Sequence, residues 1–516
     1  MSNVKIASQN VKWKNPRLWI GTVLISYIFL QVITLKTRSF DGDEGVVLRV
    51  VQAGSWREFW QGIAQDVHPP LYHLLAKVST SLFGIHEWSL RLPSAVAGGL
   101  LILLGYWLGK KIWADNRWKP LVLGIVLGFS PYLFYYYQEA RFYPLLLLGA
   151  VLTYGALLDM DKGKKMLLSV SIFTFGALVM VYCQHLGWFV LASELLCIAI
   201  FRKWKVVLWS LPIIAVVVLL YLPIISTTFM QFSGRLSEQG GLMLASNIKG
   251  IIGALYRFGA GRLVLGIEPE MILKSGLINI VLFTISVIIP LVLVVAGYCS
   301  SLSRTSPTKR SAFESKNIYW NVLAITLTLV SLVVALFVSE IGGRATRYFI
   351  YLWPFYGVLI VDGAWKVYRA TAGKIVIILF VLVSILALGK HIAIENHAVG
   401  ARDIAKLFNS SAQPSDVVLV KGALAGGEET ALRFYLDHGI NIVDYYASYK
   451  PGSLSQEQVP VGAIIAKLFR QYSTVWYYDM TYGIINLDTL DITPQSTRLG
   501  VDKEGKKMTV YRIIRM

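Results

Sequence analysis

Ser39-Phe40-Asp41-Gly42-Asp43-Glu44-Gly45 places three carboxylates within four positions, directly after the first apolar run, Leu18–Leu35. A chain with few charges carries such a group at the end of a membrane span chiefly where something binds or reacts. The same residues also fit a capping box, Asp41-x-x-Glu44, which would simply start a helix. That reading leaves Asp43 in the first turn, where an acid is favoured anyway. The pattern alone does not choose between them.

The 516 residues are 55% hydrophobic and 15% charged. Apolar runs of about 18–22 residues recur, which points to a polytopic membrane protein. The net charge of +19 does not point to nucleic acid, because the basic residues cluster in short segments between apolar runs. That is the pattern of cytoplasmic loops facing anionic lipid. Cys183, Cys197 and Cys299 lie in or beside apolar segments with no CxxC spacing, so neither a disulfide framework nor a zinc site is expected. Lys5, Lys12, Lys14 and Arg17 precede the first run, and no small-x-small site follows it, so the first span reads as uncleaved.

About eleven transmembrane helices are expected from span length: Leu18–Leu35, Leu92–Ile112, Pro120–Tyr137, Phe142–Leu158, Met166–Tyr182, Gln184–Phe201, Val206–Ile225, Leu277–Tyr298, Tyr319–Val338, Tyr348–Trp365 and Ile375–Leu388. Two longer runs divide into hairpins at Gln138-Glu139-Ala140-Arg141 and near Tyr182–Gly187. With an odd span number, the N-terminus, Lys110-Lys111…Lys119, Lys162…Lys165, Arg202…Lys205, Arg304…Arg310 and Lys366…Lys374 share one side. The positive-inside rule makes that side cytoplasmic, with the C-terminus outside. The outer face then receives the loops 38–90 and 226–276, the Gln138–Arg141 turn, Gln184-His185, Glu340–Arg347 and the tail from about residue 395.

The first outer loop is too apolar for a linker. Val47, Val50 and Val51 share a helical face, Ser55-x-x-Glu58 caps a second short helix, and Pro69-Pro70 starts a third at Leu71. Their aromatics suit helices lying along the membrane surface. Residues 395–516 alternate strands (Asp416–Val420, Asn441–Val443, Thr474–Tyr478, Lys507–Arg515) with helices (Glu428–Leu436, Ala463–Phe469). This predicts a small extracytoplasmic α/β domain behind a membrane domain of residues 1–394. Gly422…Gly426-Gly427 is a weak phosphate-loop pattern.

Several motifs together carry a family likeness. Asp43-Glu44 after span one, Asp66-x-His68-Pro69-Pro70-Leu71-Tyr72, Arg91-Leu92-Pro93 and Gln138-Glu139-Ala140-Arg141-x-Tyr143 resemble the polytopic GT-C-type glycosyltransferases. More narrowly, the chain resembles the protein O-mannosyltransferase group and the related transferase that adds aminoarabinose to lipid A. Asp43–Trp56 looks like the first loop of the latter, and Arg347-Tyr348 with Pro354 resembles a late motif. The likeness spans roughly residues 18–390. It implies an inverting transferase that moves a sugar from a polyprenyl-phosphate carrier to an acceptor hydroxyl on lipid, protein or glycan at the outer face. A bacterial plasma (inner) membrane fits, because the tail lacks a lumenal sugar-binding repeat.

In that family the acid matching Asp43 is the general base, which must lie within hydrogen-bond reach of the acceptor hydroxyl. Glu44 is either its partner or the cap. Arg141 and Arg347 are candidates to meet the phosphate as negative charge grows on it. Asp66 and His68 could orient the acceptor or hold a divalent metal, although their spacing is not that of a ligand set. The bland reading of this pair is a turn fixing the Pro-Pro helix. Glu139 and Arg141 equally suit a surface pair at a hairpin tip. His185 and Tyr348 complete the candidates, while Glu194, mid-span, suggests only an interior hydrogen bond. A transporter or flippase of a lipid-linked saccharide is the alternative function, and a non-catalytic scaffold a third, but no internal repeat of the kind transporters show is visible.

Overall fold

The computed structural model describes residues 16–66, 68–163, 165–200, 204–229, 257–258, 277–303, 345–394, 397, 400–421, 427–437, 439–444, 461–479, 492–501 and 507–515. The expected span Tyr319–Val338 and most of the loop 226–276 lie outside these residues.

The chain is a multi-span helical protein. Helices α1 (Pro16–Thr34), α5 (Glu87–Ile112), α8 (Tyr143–Asp161), α9 (Met166–Cys183), α10 (Leu186–Ile200), α11 (Trp204–Tyr221), α12 (Leu277–Ser303), α13 (Trp353–Val367) and α14 (Thr371–Ala393) match nine expected spans. Six helices of the described residues are long and apolar enough to cross a membrane, seven if one bent pair counts as a single span. That pair is α6 (Lys119–Phe129) and α7 (Pro131–Tyr137), expected as one helix and instead bent by 56°. The break has a local cause. Pro131 has no N–H, and it forces Ser130 out of helical geometry to ψ 128°.

Helix α8 is the bundle's axis, buried along most of its length, with α5 and α9 against it. Small residues allow this closeness: a Cβ on Gly149 would lie 2.7 Å from the carbonyl oxygen of Gly176. The outer helices expose large apolar side chains, among them Ile25, Phe29 and Val32 on α1, Phe175 on α9, Leu208 and Leu219 on α11 and Ile378 and Ile385 on α14. Such a belt suits lipid rather than water. Where α5 ends at Ile112, Lys111 pairs with Asp159, and Lys119 pairs with Asp362 between Trp113 and Trp365.

At the opposite end of α5 sit three short helices of the first loop, α2 (Gly42–Val51), α3 (Trp56–Gln65) and α4 (Leu71–Phe83). Ser55 Oγ accepts the Glu58 N–H at 3.2 Å, as the sequence predicts. One face of α2 and α3 buries Val50, Phe59 and Ile63 together, while Trp56 and Trp60 remain exposed.

The C-terminal residues fold into helices α15 (Ala401–Ser411), α16 (Gly427–Tyr435) and α17 (Val461–Leu468) around five strands, β1 (Val417–Lys421), β2 (Asn441–Asp444), β3 (Thr474–Asp479), β4 (Ile492–Val501) and β5 (Lys507–Arg515). The order is β2-β1-β3-β5-β4, with β2, β1 and β3 parallel and β5 antiparallel to both of its neighbours. The two-residue period of a strand divides the core. Val418, Val420, Trp476 and Tyr478 pack under α15 and α16, whereas Val417, Leu419, Val475 and Tyr477 pack against α17. Strand β4 and helix α15 were not expected from the sequence.

Candidate active site

The capping box forms as read. The Glu44 N–H donates to Asp41 Oδ1 at 2.9 Å, and the Asp41 N–H donates to Glu44 Oε2 at 3.3 Å. The cap fixes the first turn of α2, and Asp43 lies in that turn with its side chain 39% exposed.

Asp43 and Glu44, adjacent in sequence, have opposite environments. Glu44, expected either as a partner of Asp43 or as the cap, is the cap, and it is fully buried and holds the fold together. Arg91 grips it in a fork, Nε to Oε1 at 2.7 Å and Nη2 to Oε2 at 2.6 Å. The Ala140 N–H donates to Oε1 at 2.8 Å. The remaining Arg91 donors go to the carbonyls of Leu35, Arg38 and Ser39 at 2.8–3.0 Å. All five N–H groups of the guanidinium are therefore used. Glu44 and Arg91 tie together the end of α1, the start of α2, α5 and the turn before α8.

The Asp43 carboxylate forms an ion pair with Arg347, from the 3-10 helix Ala345–Leu352. Arg141 Nη1 donates to the Asp43 carbonyl at 3.2 Å. Arg141 and Glu139 do not form the surface pair that a hairpin tip suggests; both are more than nine-tenths buried. Ser94 Oγ donates to the Arg141 carbonyl at 2.9 Å, and Tyr135 donates to Glu139 Oε1 at 3.3 Å. The turn is drawn inward because α2 and α5 close over it. That is a tertiary effect with no local pattern.

Asp66 and His68 are also buried, beside the same turn. The His68 ring lies 4.5 Å from that of Phe142, and His73 Nε2 lies 3.1 Å from Asp66 Oδ2. Burial alone would raise the Asp66 carboxyl. The hydrogen bond with His73, and the nearby charges of His68, His73 and Arg141, outweigh it and hold the group well below the usual carboxylate range. Arg141 is in electrostatic reach of Asp43, Asp66 and Arg347. A carboxylate depressed on folding stabilises fully above its unfolded pKa, about 3.9, and loses that contribution as pH falls toward its folded value. Asp66→Asn should therefore lower the melting temperature of the detergent-solubilised protein at pH 7 and flatten its decline below about pH 4. Parallel declines for wild type and variant would exclude the Asp66–His73 pair as the source.

His185 hydrogen-bonds Tyr221 through Nδ1 at 3.2 Å, at the joint of α9, α10 and α11. Tyr348 lies in the 3-10 helix beside Arg347, and its side chain is outside the described residues. Of the loop 226–276, Phe258 packs on Tyr132 and Tyr356 at 4.9 and 5.6 Å. Among the described residues no group of three His, Cys, Asp or Glu side chains has the geometry to hold a metal ion. Glu194 accepts a hydrogen bond from Thr153 at 2.9 Å inside the bundle, consistent with an interior role.

Sequence reasoning gave no role to Arg91, His73 or Arg38. Arg38 stacks 5.2 Å over Tyr135 and donates to the Gln138 carbonyl at 3.2 Å. Arginines at the ends of apolar runs are the signal that was available.

In its fold, a multi-span helical bundle with a small α/β unit beside it, the chain is similar to solved membrane glycosyltransferases. Residues 67–230 match the family model for dolichyl-phosphate-mannose-protein mannosyltransferase. The chain is similar to the oligosaccharyltransferase of Archaeoglobus fulgidus in complex with Zn and sulfate, at 13% identity and TM-score 0.53, covering 89% of this chain and 67% of that one. It is also similar to ArnT from Cupriavidus metallidurans in the apo state, at 14% identity and TM-score 0.49, covering 96% and 98%. The mycobacterial arabinofuranosyltransferase AftD matches at 12% identity and TM-score 0.49, covering 97% and 40%. No curated protein sequence matches the chain.

Proposed function

We propose that this chain is an inverting glycosyltransferase that takes a sugar from a polyprenyl-phosphate carrier and joins it to an acceptor hydroxyl, with Asp43 as general base. The observation that carries the reading is the ion pair between Asp43, partly exposed at a capped helix start, and Arg347. An acceptor hydroxyl placed at Asp43 Oδ gives up its proton as its oxygen attacks C1 of the sugar. The C1–O bond to phosphate breaks on the opposite face, and its electrons stay with the phosphate. Arg347 and Arg141 can meet that charge, because guanidinium never deprotonates and binds phosphate oxygens in a fork. A phosphate leaving group needs little protonation, so one carboxylate suffices. In the resting pair Arg347 occupies Asp43; donor phosphate competes for the arginine and frees the base.

The site lies on the extracytoplasmic side in this reading, at the end of the bundle away from the Lys111–Asp159 and Lys119–Asp362 pairs. Residues 395–516 form an extracytoplasmic domain, and the setting is a bacterial inner membrane. Transfer can be checked with the protein in proteoliposomes supplied with C1-labelled undecaprenyl-phosphate sugars and a membrane extract as acceptor. The expected result is acceptor-dependent release of undecaprenyl phosphate, with the C1 configuration inverted in the product. Movement of intact lipid-linked sugar across the bilayer without cleavage would favour a flippase instead.

A further inference from the structure

The C-terminal unit touches the bundle at the helix that presents Asp43. Helices α2 and α16 cross with no room for side chains between them. A Cβ on Gly45 would lie 1.8 Å from the Gly427 carbonyl oxygen, one on Gly427 would lie 1.9 Å from that of Gly42, and one on Gly42 would meet Glu428 at 2.3 Å. Gly45 and Gly427 thus let two backbones meet directly, Gly42 faces the Glu428 side chain, and Gly42 and Gly45 flank Asp43 and Glu44 in sequence. Gly427, read from sequence as the end of a weak phosphate loop, has a packing reason to be glycine.

A polar clamp lies beside this crossing. The Phe40 N–H donates to Tyr435 Oη at 3.0 Å, and Tyr435 in turn donates to Glu87 Oε1 at 2.8 Å. Arg402 of α15 pairs with Glu87, donates to the Thr37 carbonyl at 3.2 Å, and stacks 5.5 Å over the Tyr435 ring. Phe40 and Phe434 meet edge to face at 5.2 Å. The connector Thr37–Phe40, the first turn of α2 and the first residue of α5 are all held from α15 and α16.

We infer that the C-terminal α/β unit is a positioning element for Asp43: its glycine crossing and Tyr435–Glu87–Arg402 clamp fix the start of α2. This rests on the glycosyltransferase reading for the meaning of Asp43, but not for the docking itself. An error of about 1 Å in placing a reacting group can cost about 100-fold in rate. Docking therefore sets turnover, while donor binding through Arg347 and Arg141 does not depend on it.

Gly427→Ala tests the crossing and Tyr435→Phe the clamp, neither residue having been placed in the reacting machinery. Two measurements need no knowledge of the sugar: amide hydrogen exchange along α2, and binding of undecaprenyl phosphate to the full-length protein in nanodiscs. A third is formation of whichever glycoconjugate is lost when the gene is deleted and restored by the wild-type chain. For Gly427→Ala, exchange in α2 should rise at least about tenfold with α8 and α9 unchanged, and glycoconjugate formation should fall about 10–100-fold. Undecaprenyl phosphate binding should stay within about twofold of wild type. Tyr435→Phe, which keeps the ring and loses the hydroxyl, should show a smaller loss of the same kind. Unchanged α2 exchange in a folded Gly427→Ala protein would overturn the inference, as would full glycoconjugate formation despite loosened α2, or a parallel loss of lipid binding. If the wild-type chain restores no glycoconjugate while α2 loosens as stated, the glycosyltransferase reading fails, and with it the catalytic meaning of the docking.

Discussion

Asp43→Asn should abolish nearly all sugar transfer, a loss of about 10²–10⁴-fold, the range a positioned general base contributes. Asparagine keeps the shape of aspartate, but its amide oxygen is far too weak a base to take the hydroxyl proton. The carboxylate pairs with Arg347 at the partly exposed site, but the start of α2 is held by other groups. The cap of α2 uses Asp41 and Glu44, and Arg141 reaches the backbone carbonyl of residue 43 rather than its side chain. The melting temperature should therefore stay close to wild type. The variant should bind undecaprenyl phosphate at least as well as wild type, because the Asp43 carboxylate no longer competes with phosphate for Arg347. Full transfer activity in a folded Asp43→Asn protein would remove Asp43 as the base. Lost lipid binding would mean instead that the acid helps to shape the donor site.

How far the sequence could be read depended on whether each feature was local. A capping box is a four-residue pattern; Asp41-x-x-Glu44 forms one in full, while Ser55 caps the Glu58 N–H and the Glu58 side chain turns to the Gly54 N–H instead. Apolar runs are equally local, and nine of the expected spans carry a helix over most of their length. The missed features of the site are pairings across long separations. The Glu44–Arg91 fork joins residues 47 apart, and the Asp43–Arg347 pair joins residues 304 apart. The inward burial of Glu139 and Arg141 depends on α2 and α5 closing over a turn that, alone, resembles any exposed hairpin tip. In the tail, β4 includes Pro494, Gln495 and Ser496 and lacks the β-branched run of β1, so period and propensity gave it no signal; pairing along β5 at the sheet edge supplies what its composition does not.

The second large effect is expected one residue away, with the opposite signature. Glu44→Gln preserves side-chain length but removes the negative charge facing Arg91, leaving a guanidinium about 1% exposed with no counter-charge in its fork. Removing one partner of a buried pair costs about 3–5 kcal/mol, a large part of the roughly 5–15 kcal/mol that holds a typical domain folded. The loss should be structural: a lower melting temperature in detergent and a smaller yield of monodisperse protein. Arg91→Met should be at least as damaging, because the carbonyls of Leu35, Arg38 and Ser39 lose their donor as well. The double variant Glu44→Gln/Arg91→Met should lose less than the sum of the two, since the Arg91 charge goes together with that of its partner and the residues are in direct contact. Were Glu44→Gln instead as stable as wild type and inactive, Glu44 would belong with Asp43 among the reacting groups. If the losses fall as argued, two neighbouring carboxylates divide the work, Glu44 fixing the start of α2 from inside the fold and Asp43 facing the substrate from its surface.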